Sequence, residues 1–268
     1  MNRATDREPA APRMRPLLGP EGLAALDALV RQRPLVAFDF DGTLAPIVAR
    51  PERARVPPGV ARRLAALAER LPLAVVSGRA LADLRARLGF VPQFLVGNHG
   101  AECDTEPAAT AAHRARLDAL RCRLAAQAAA LAAHGVVVED KGASIALHYR
   151  LARDRAAAAG CIAALLGAAD ASLRVFGGKQ VVNVAPADAP DKAAAMQRLA
   201  ARAGCASALF VGDDVNDEPV FASAPPHWLT VRVGRDDPHS HARWFVDGTA
   251  EVPLLLDRLL AASARDET

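Results

Sequence analysis

Leu35, Val36, Ala37 and Phe38 follow one another without a polar position, the pattern of a strand buried on both faces of a parallel sheet. The pattern returns in "LPLAVVSGR" at 71–79, "FLVGNHG" at 94–100 and "ALFVGDD" at 208–214. Between these runs the period changes. Val60, Leu64, Leu67 and Leu71 fall at helical spacing and predict a helix over 59–70, with further helices expected over 22–31, 81–88 and 191–203. "LTVRV" at 229–233 and "WFVD" at 244–247 predict edge strands, and "VPLLLDRLLAASA" at 252–264 a closing helix. This alternation predicts an α/β fold: a doubly wound, Rossmann-like parallel sheet whose ligands sit at the carboxyl ends of its strands.

The middle of the chain breaks the rhythm. The alanine-rich stretch 108–133 predicts one long helix, and another is expected over 154–169. "GVVVEDKGASIALHYR" at 135–150 predicts two strands around a turn at Lys141–Gly142, and "LRVFGGKQVVNVAP" at 173–186 two more around a Gly-Gly turn. Two hairpins and two helices suit a small α+β unit with its helices on one face, left through a linker "APADAP" at 185–190. The expected organisation is a disordered tail over 1–18, a core over 19–106 and 189–268, and an inserted α+β cap over 107–188.

Composition narrows the function classes. Of 268 residues 51% are hydrophobic and 24% charged, an ordinary globular balance. A net charge of +3 gives no strong pull toward nucleic acid or a membrane surface, and the arginine-rich stretch 49–63 reads as a solvated surface. Cys103, Cys122, Cys161 and Cys205 are scattered, the usage of reduced thiols in a cytoplasmic protein. The N-terminus lacks the apolar core of a signal peptide, and no apolar run reaches membrane-spanning length. Only Lys141, Lys179 and Lys192 among 33 basic residues are lysines. A chain that uses arginine for generic charge marks its lysines as places where a compact ammonium is wanted.

Candidate chemistry lies at the strand tips. The first buried run ends in Asp39 and Asp41, one residue apart, and the run at 208–211 ends in Asp213 and Asp214, with Asp217 and Glu218 a turn later. Carboxylates ending buried strands are costly unless paired, and oxygen-only ligands converging from two strands suit Mg²⁺. Asp217 and Glu218 also read as helix-start caps, and Ser77 as the N-cap of the helix after it. Lys192 falls in a first helical turn, where the macrodipole disfavours positive charge.

Asp-Phe-Asp-Gly-Thr at 39–43, Ser77 in "VVSGR", Lys192 at a helix start and "GDDVNDE" at 212–218 occur in order and resemble the haloacid dehalogenase-like phosphatases. With "DFDGTLAPI", "GNHGAE" and "EDKGASIALHYR", the chain over 33–250 looks like a member of the trehalose-6-phosphate phosphatase family. The resemblance implies Mg²⁺-dependent hydrolysis of that phosphosugar through a phosphoaspartate. Asp39 would be nucleophile and Asp41 general acid and base, with Ser77 and Lys192 donating to the phosphoryl oxygens. The metal would take the Asp39 side chain, the Asp41 carbonyl and Asp213, with Asp214 and Asp217 orienting its waters. Thr43 and Arg79 would bind substrate in the core, and Glu139, Lys141, Arg150, Lys179 and Asn183 in the cap, with His148 a further polar group there. His239 and His241 read as loop histidines.

The family usually carries glutamate where this chain has Asn183, and Lys-Gly where it has "DKAA". Two rival readings follow: a sibling phosphatase acting on another phosphosugar, such as sucrose 6-phosphate or a mannosylglycerate phosphate, and a silent regulatory domain that binds a sugar phosphate without cleaving it. The resemblance also admits association with a trehalose-phosphate synthase.

Overall fold

The computed structural model describes residues 14–167, 171–178 and 180–264. β1 (Arg15–Pro16) and α1 (Pro20–Val30) lead into β2 (Leu35–Phe38), α2 (Pro58–Ala68), β3 (Leu73–Val76), α3 (Leu81–Leu88), β4 (Phe94–Gly97) and a short β5 (Glu102–Cys103). The inserted stretch carries α4 (Pro107–Arg116), α5 (Asp118–Ala126), α6 (Ala128–Ala133), β6 (Val137–Asp140), β7 (Ile145–His148), α7 (Arg155–Leu166), β8 (Leu173–Gly178) and β9 (Val181–Pro186). The core resumes with α8 (Lys192–Arg202), β10 (Ala208–Gly212), α9 (Glu218–Ser223), β11 (Leu229–Val233), β12 (Trp244–Val246) and α10 (Val252–Ser263).

The large sheet has the order β1-β12-β11-β10-β2-β3-β4-β5, and every pairing but β4–β5 is parallel. Alternation along β2 explains the two layers. Val36 and Phe38 pack with α1, α2 and α10 through Leu26, Leu64, Leu67, Leu255 and Leu259. Leu35 and Ala37 face α8 and α9 through Met196, Leu199 and Phe221. With both faces covered, the central strands must be apolar at every position, which is why they read as unbroken runs.

The inserted stretch forms a separate antiparallel sheet, β6-β7-β9-β8. One face is covered by α5, α6 and α7, with Leu120, Leu124, Leu131 and Ile162 packed on Ile145, Leu147 and Val184. The other face carries a row fixed by the register: Glu139 opposite Ala146, Ala146 opposite Asn183, and Asn183 opposite Phe176. Among the described residues no helix is long and apolar enough to cross a membrane.

Four expectations need correction. The long helix over 108–133 is three helices, broken at Leu117 and Gln127. At the first break the Arg121 guanidinium takes the Arg114 carbonyl at 2.7 Å, and a side chain inserted into the ladder is a recognised cause of a bend. The Gly-Gly pair is not the turn: Gly177 and Gly178 pair with Val182 and Val181, and Gln180, beyond them, has φ +63°. Of the tail over 1–18, residues 1–13 lie outside the described residues, whereas Arg15 and Pro16 pair with Trp244 and Phe245 and Leu17 is fully buried. Finally, neither of the last two strands is an edge, since β1 flanks β12.

Candidate active site

Phe38 of β2 is level with Val75 of β3 and Val211 of β10. The residues just past these strands, Asp39, Ser77 and Asp213, are therefore brought to one end of the sheet. Asp39 and Asp217 are buried, at 5% and 0% exposure. Lys192, the first residue of α8, bridges them: its Nζ donates to Asp39 Oδ1 and to Asp217 Oδ1, each at 2.7 Å. Asp217 Oδ2 accepts the backbone N–H groups of Asp213 and Asp214 at 3.0 Å, so Asp217 braces the loop while facing the lysine. Carboxylate oxygens of Asp39, Asp213 and Asp217 lie within 4.8 Å of one another.

Three carboxylates converge here, two of them on the Lys192 ammonium. Burial, with Asp217 and Asp213 adding to it, pushes the Asp39 carboxyl well above the usual range even though Lys192 pulls it down. Burial works against the Lys192 charge too, but Asp217 and Asp39 more than offset it and raise its pKa. A converging set of hard oxygen donors suits a divalent cation. Glycine makes the approach feasible. A Cβ on Gly42, whose φ is +79°, would run into the Asp213 carboxylate, and one on Gly212 into Asp217. Gly42→Ala is thus expected to cost at least ~1–2 kcal/mol from the left-handed backbone alone, plus displacement of Asp213. Urea unfolding should show a lowered midpoint.

Asp41 is held elsewhere. Arg79 Nε and Nη2 donate to its two oxygens at 2.7 and 2.8 Å, a bidentate pair. The same guanidinium reaches Asp83 Oδ2 at 2.7 Å and the Pro51 carbonyl at 2.9 Å, so most of the donors of Arg79, expected on substrate, are engaged within the protein. Burial opposes the Arg79 charge, and the hydrogen bonds to Asp41 and Asp83 outweigh it and raise the pKa. Ser77 is buried and is not the N-cap of α3, which is Ala80. Its Oγ accepts from the Arg79 N–H at 3.3 Å, which leaves its own proton to donate. Thr43 is 1% exposed and its Oγ1 is sealed without a hydrogen-bond partner among the described residues.

From the cap, Lys141 Nζ donates to the Gly78 carbonyl at 3.2 Å and lies 3.7 Å from Glu139. Glu139 also pairs with His148 Nε2 at 2.8 Å. That hydrogen bond holds the Glu139 carboxyl below its ordinary range against the effect of burial, and burial lowers the Lys141 pKa. Asn183 is 3% exposed on the row described above. Arg150 lies exposed in the turn after β7, and Lys179 lies outside the described residues. Asp214 caps the short turn Val215–Asp217, and its Oδ2 takes Asn216 Nδ2 at 3.2 Å. Glu218 pairs with Arg232 at 3.2 Å and accepts the His241 N–H at 2.9 Å.

Sequence reasoning missed the joint between cap and core. Asn98 donates to Glu102 Oε2 at 2.7 Å and to the Lys141 carbonyl at 3.1 Å, and accepts from Ser144 Oγ at 2.6 Å. Glu102 also takes the Leu81 N–H at 2.8 Å and Arg114 Nη2 at 2.6 Å. The "GNHGAE" stretch carried the signal, as polar residues directly after a buried strand, without indicating their partners.

A sequence profile described as trehalose-phosphatase matches residues 37–249. Trehalose-phosphate phosphatases of Mycobacterium tuberculosis and Mycobacterium bovis are 36% identical over 260 residues, covering 90% of this chain and 65% of their own length. The chain thus spans just under two thirds of these relatives. The C-terminal domain of the C. albicans trehalose-6-phosphate phosphatase superposes with a TM-score of 0.70 at 21% identity, covering 94% of this chain and 99% of that one. A haloacid dehalogenase-like hydrolase from Bacteroides thetaiotaomicron does so at 0.58 and 15%, covering 84% and 99%. These two likenesses show the fold, a Rossmann-like core with an added cap. On the match of the profile, the chain belongs to the trehalose-phosphatase family.

Proposed function

We propose that the protein hydrolyses trehalose 6-phosphate to trehalose and inorganic phosphate, as the names of its relatives suggest. The observation that carries this reading is the buried Asp39–Lys192–Asp217 cluster beside Asp213, at the end of the sheet where the cap's Lys141 reaches the Gly78 carbonyl next to Ser77. Asp39 has Oδ1 engaged by Lys192, so Oδ2 attacks phosphorus while the bond to the sugar oxygen breaks. Asp41 protonates the departing oxygen, then takes a proton from the water that cleaves the phosphoaspartate and frees phosphate. Both Asp41 oxygens accept from Arg79 in this structure, so Asp41 must loosen from Arg79 before it reaches the departing oxygen. Ser77, Thr43 and Lys192 supply fixed donors to the equatorial oxygens.

Mg²⁺ fits the donor set, with Asp39, Asp213 and the Asp41 carbonyl to hold it, and when bound it would offset the repulsion between carboxylate and phosphate. Asp217, whose oxygens already serve Lys192 and two backbone N–H groups, braces the site instead. The four free cysteines suit a reducing compartment, and we place the protein in the cytoplasm.

The test is phosphate release from a panel of trehalose 6-phosphate, sucrose 6-phosphate, a mannosylglycerate phosphate and glucose 6-phosphate, with Mg²⁺ and with chelator. Trehalose 6-phosphate should be preferred and chelation should stop turnover. Preference for another sugar would overturn the substrate, and no release from any would point to the silent binding domain. Asn183 makes a finer test, because it sits between Ala146 and Phe176 where the family carries glutamate. Asn183→Glu adds a charged acceptor and is expected to raise selectivity for trehalose 6-phosphate over glucose 6-phosphate by ~1–3 kcal/mol. Abolished cleavage of trehalose 6-phosphate in this variant would sink the pocket assignment.

A further inference from the structure

Both cap hairpins reach one corner of the core, where the His99 ring lies on Gly78. Lys141, in the β6–β7 turn, donates to the Gly78 carbonyl at 3.2 Å. Phe176, on β8, meets the His99 ring edge-on, with centroids 5.2 Å apart and planes at 84°. The His99 ring in turn lies directly on Gly78, where a Cβ would collide with it. Gly78 separates the two residues on which the chemistry depends most locally: Ser77, the candidate phosphate donor, and Arg79, which clamps Asp41.

The backbone under the ring is held in an unusual shape. Asn98 and His99 are consecutive non-glycine residues at φ +51° and +56°, a conformation that persists only where the surroundings over-determine it. Here they do. The Asn98 N–H donates to the Arg79 carbonyl at 2.9 Å and the His99 N–H to the Ser77 carbonyl at 3.0 Å. His99 thus binds the Ser77–Arg79 loop through its backbone and touches the cap through its ring. Its Nδ1 is sealed without a hydrogen-bond partner among the described residues. Burial, with Lys192, Lys141 and Arg174 nearby, holds its pKa well below the ordinary value, so the ring packs as a neutral group.

We propose that His99 is a positioning residue: with Phe176 it forms a latch through which a seated cap fixes the Ser77–Gly78–Arg79 loop, making full turnover depend on a leaving group large enough to hold the cap down. This rests on the phosphatase reading above. Proximity effects of this kind are steep, because a small misplacement far from the reacting atoms is enough to slow the chemical step.

The experiment is phosphate release from trehalose 6-phosphate and from p-nitrophenyl phosphate by wild type, His99→Ala, Phe176→Ala, the double variant and His99→Phe. On trehalose 6-phosphate each alanine variant should lose about 10- to 100-fold in kcat with little change in KM. The double variant should be no slower than the slower single, because both remove one contact. On p-nitrophenyl phosphate, too small to engage the cap, the losses should be much smaller. His99→Phe keeps a ring against Gly78 and Phe176 and should recover most of the rate. Additive losses in the double variant, equal losses on both esters, or a phenylalanine variant as slow as alanine would each overturn the latch. A misfolded His99→Ala leaves the Phe176→Ala and His99→Phe arms to decide it. Wild type inactive on both esters would overturn the phosphatase reading itself, whereas an active wild type with unaffected variants overturns only the latch.

Discussion

The Asp39→Asn variant is expected to lose phosphate release by at least about 10³-fold, the scale seen when a covalent nucleophile is removed. The variant should remain folded, and without metal it should melt higher than wild type. The amide oxygen can still accept from Lys192, which keeps Asp217 as its second partner. What disappears is one buried carboxylate charge that sits close to those of Asp217 and Asp213. The sign follows from the raised Asp39 pKa. A group whose folded pKa lies above its unfolded value favours folding fully below the unfolded pKa, and that contribution is lost as pH rises through the folded pKa. At neutral pH ionised Asp39 therefore weighs against the metal-free fold, and Asp39→Asn relieves it. Added Mg²⁺ should raise the melting temperature of wild type more than that of the variant, because a ligand of the folded state stabilises by mass action and the variant offers it one charge fewer. Two assays check this: discontinuous phosphate release, and thermal unfolding with Mg²⁺ or with chelator. Activity within about tenfold of wild type would remove Asp39 from the nucleophile's role, far short of what such a loss costs. A variant that melts lower in chelator would contradict the charge balance read from the cluster.

The buried strands were legible because a parallel sheet covered on both faces leaves no polar position, so β2, β3, β4 and β10 stand out as apolar runs. Convergence of Asp39, Asp213 and Asp217 follows from the same reasoning, since neighbouring parallel strands end at one edge of the sheet. Lys192 was legible for a compositional reason: a lysine-poor chain places one at a helix start, where the dipole opposes it, and the two carboxylates supply the compensation. What escaped depends on partners far away in sequence. β1 is two residues long and exists only because Trp244 and Phe245 lie beside it. The break at Leu117 depends on Arg121 turning back onto Arg114, which an alanine-rich helical pattern cannot show. The clamp of Arg79 on Asp41 spans 38 residues and needs the register of β2 against β3. Asn98, Glu102 and Ser144 join core to cap through side-chain hydrogen bonds that no periodicity encodes.

Lys192→Arg keeps the charge and is nevertheless expected to be severely damaging. The ammonium is 4% exposed and makes two contacts of 2.7 Å to carboxylates that approach it from different elements, the end of β2 and the turn before α9. A point donor with three protons can bridge them and still present a third to the phosphate. A planar guanidinium is wider, longer and directional, so it must push one carboxylate away or turn its own plane from the substrate. Overfilling a packed site by this much costs ~1–3 kcal/mol of stability, and losing one transition-state donor costs about 10²- to 10³-fold in kcat. Lys192→Ala should instead strike stability first, by ~3–5 kcal/mol, because it strands two buried carboxylates without their counter-ion. The pair separates two roles. If Lys192 serves only to neutralise, the arginine variant should retain near-wild-type kcat on trehalose 6-phosphate and the alanine variant should regain stability on adding Mg²⁺. If it also donates to the phosphate, the arginine variant should stay slow at saturating substrate and Mg²⁺ while unfolding within a few degrees of wild type. Steady-state kinetics and thermal melts on the two variants decide between these outcomes, and the short, buried, two-sided contact geometry predicts the second.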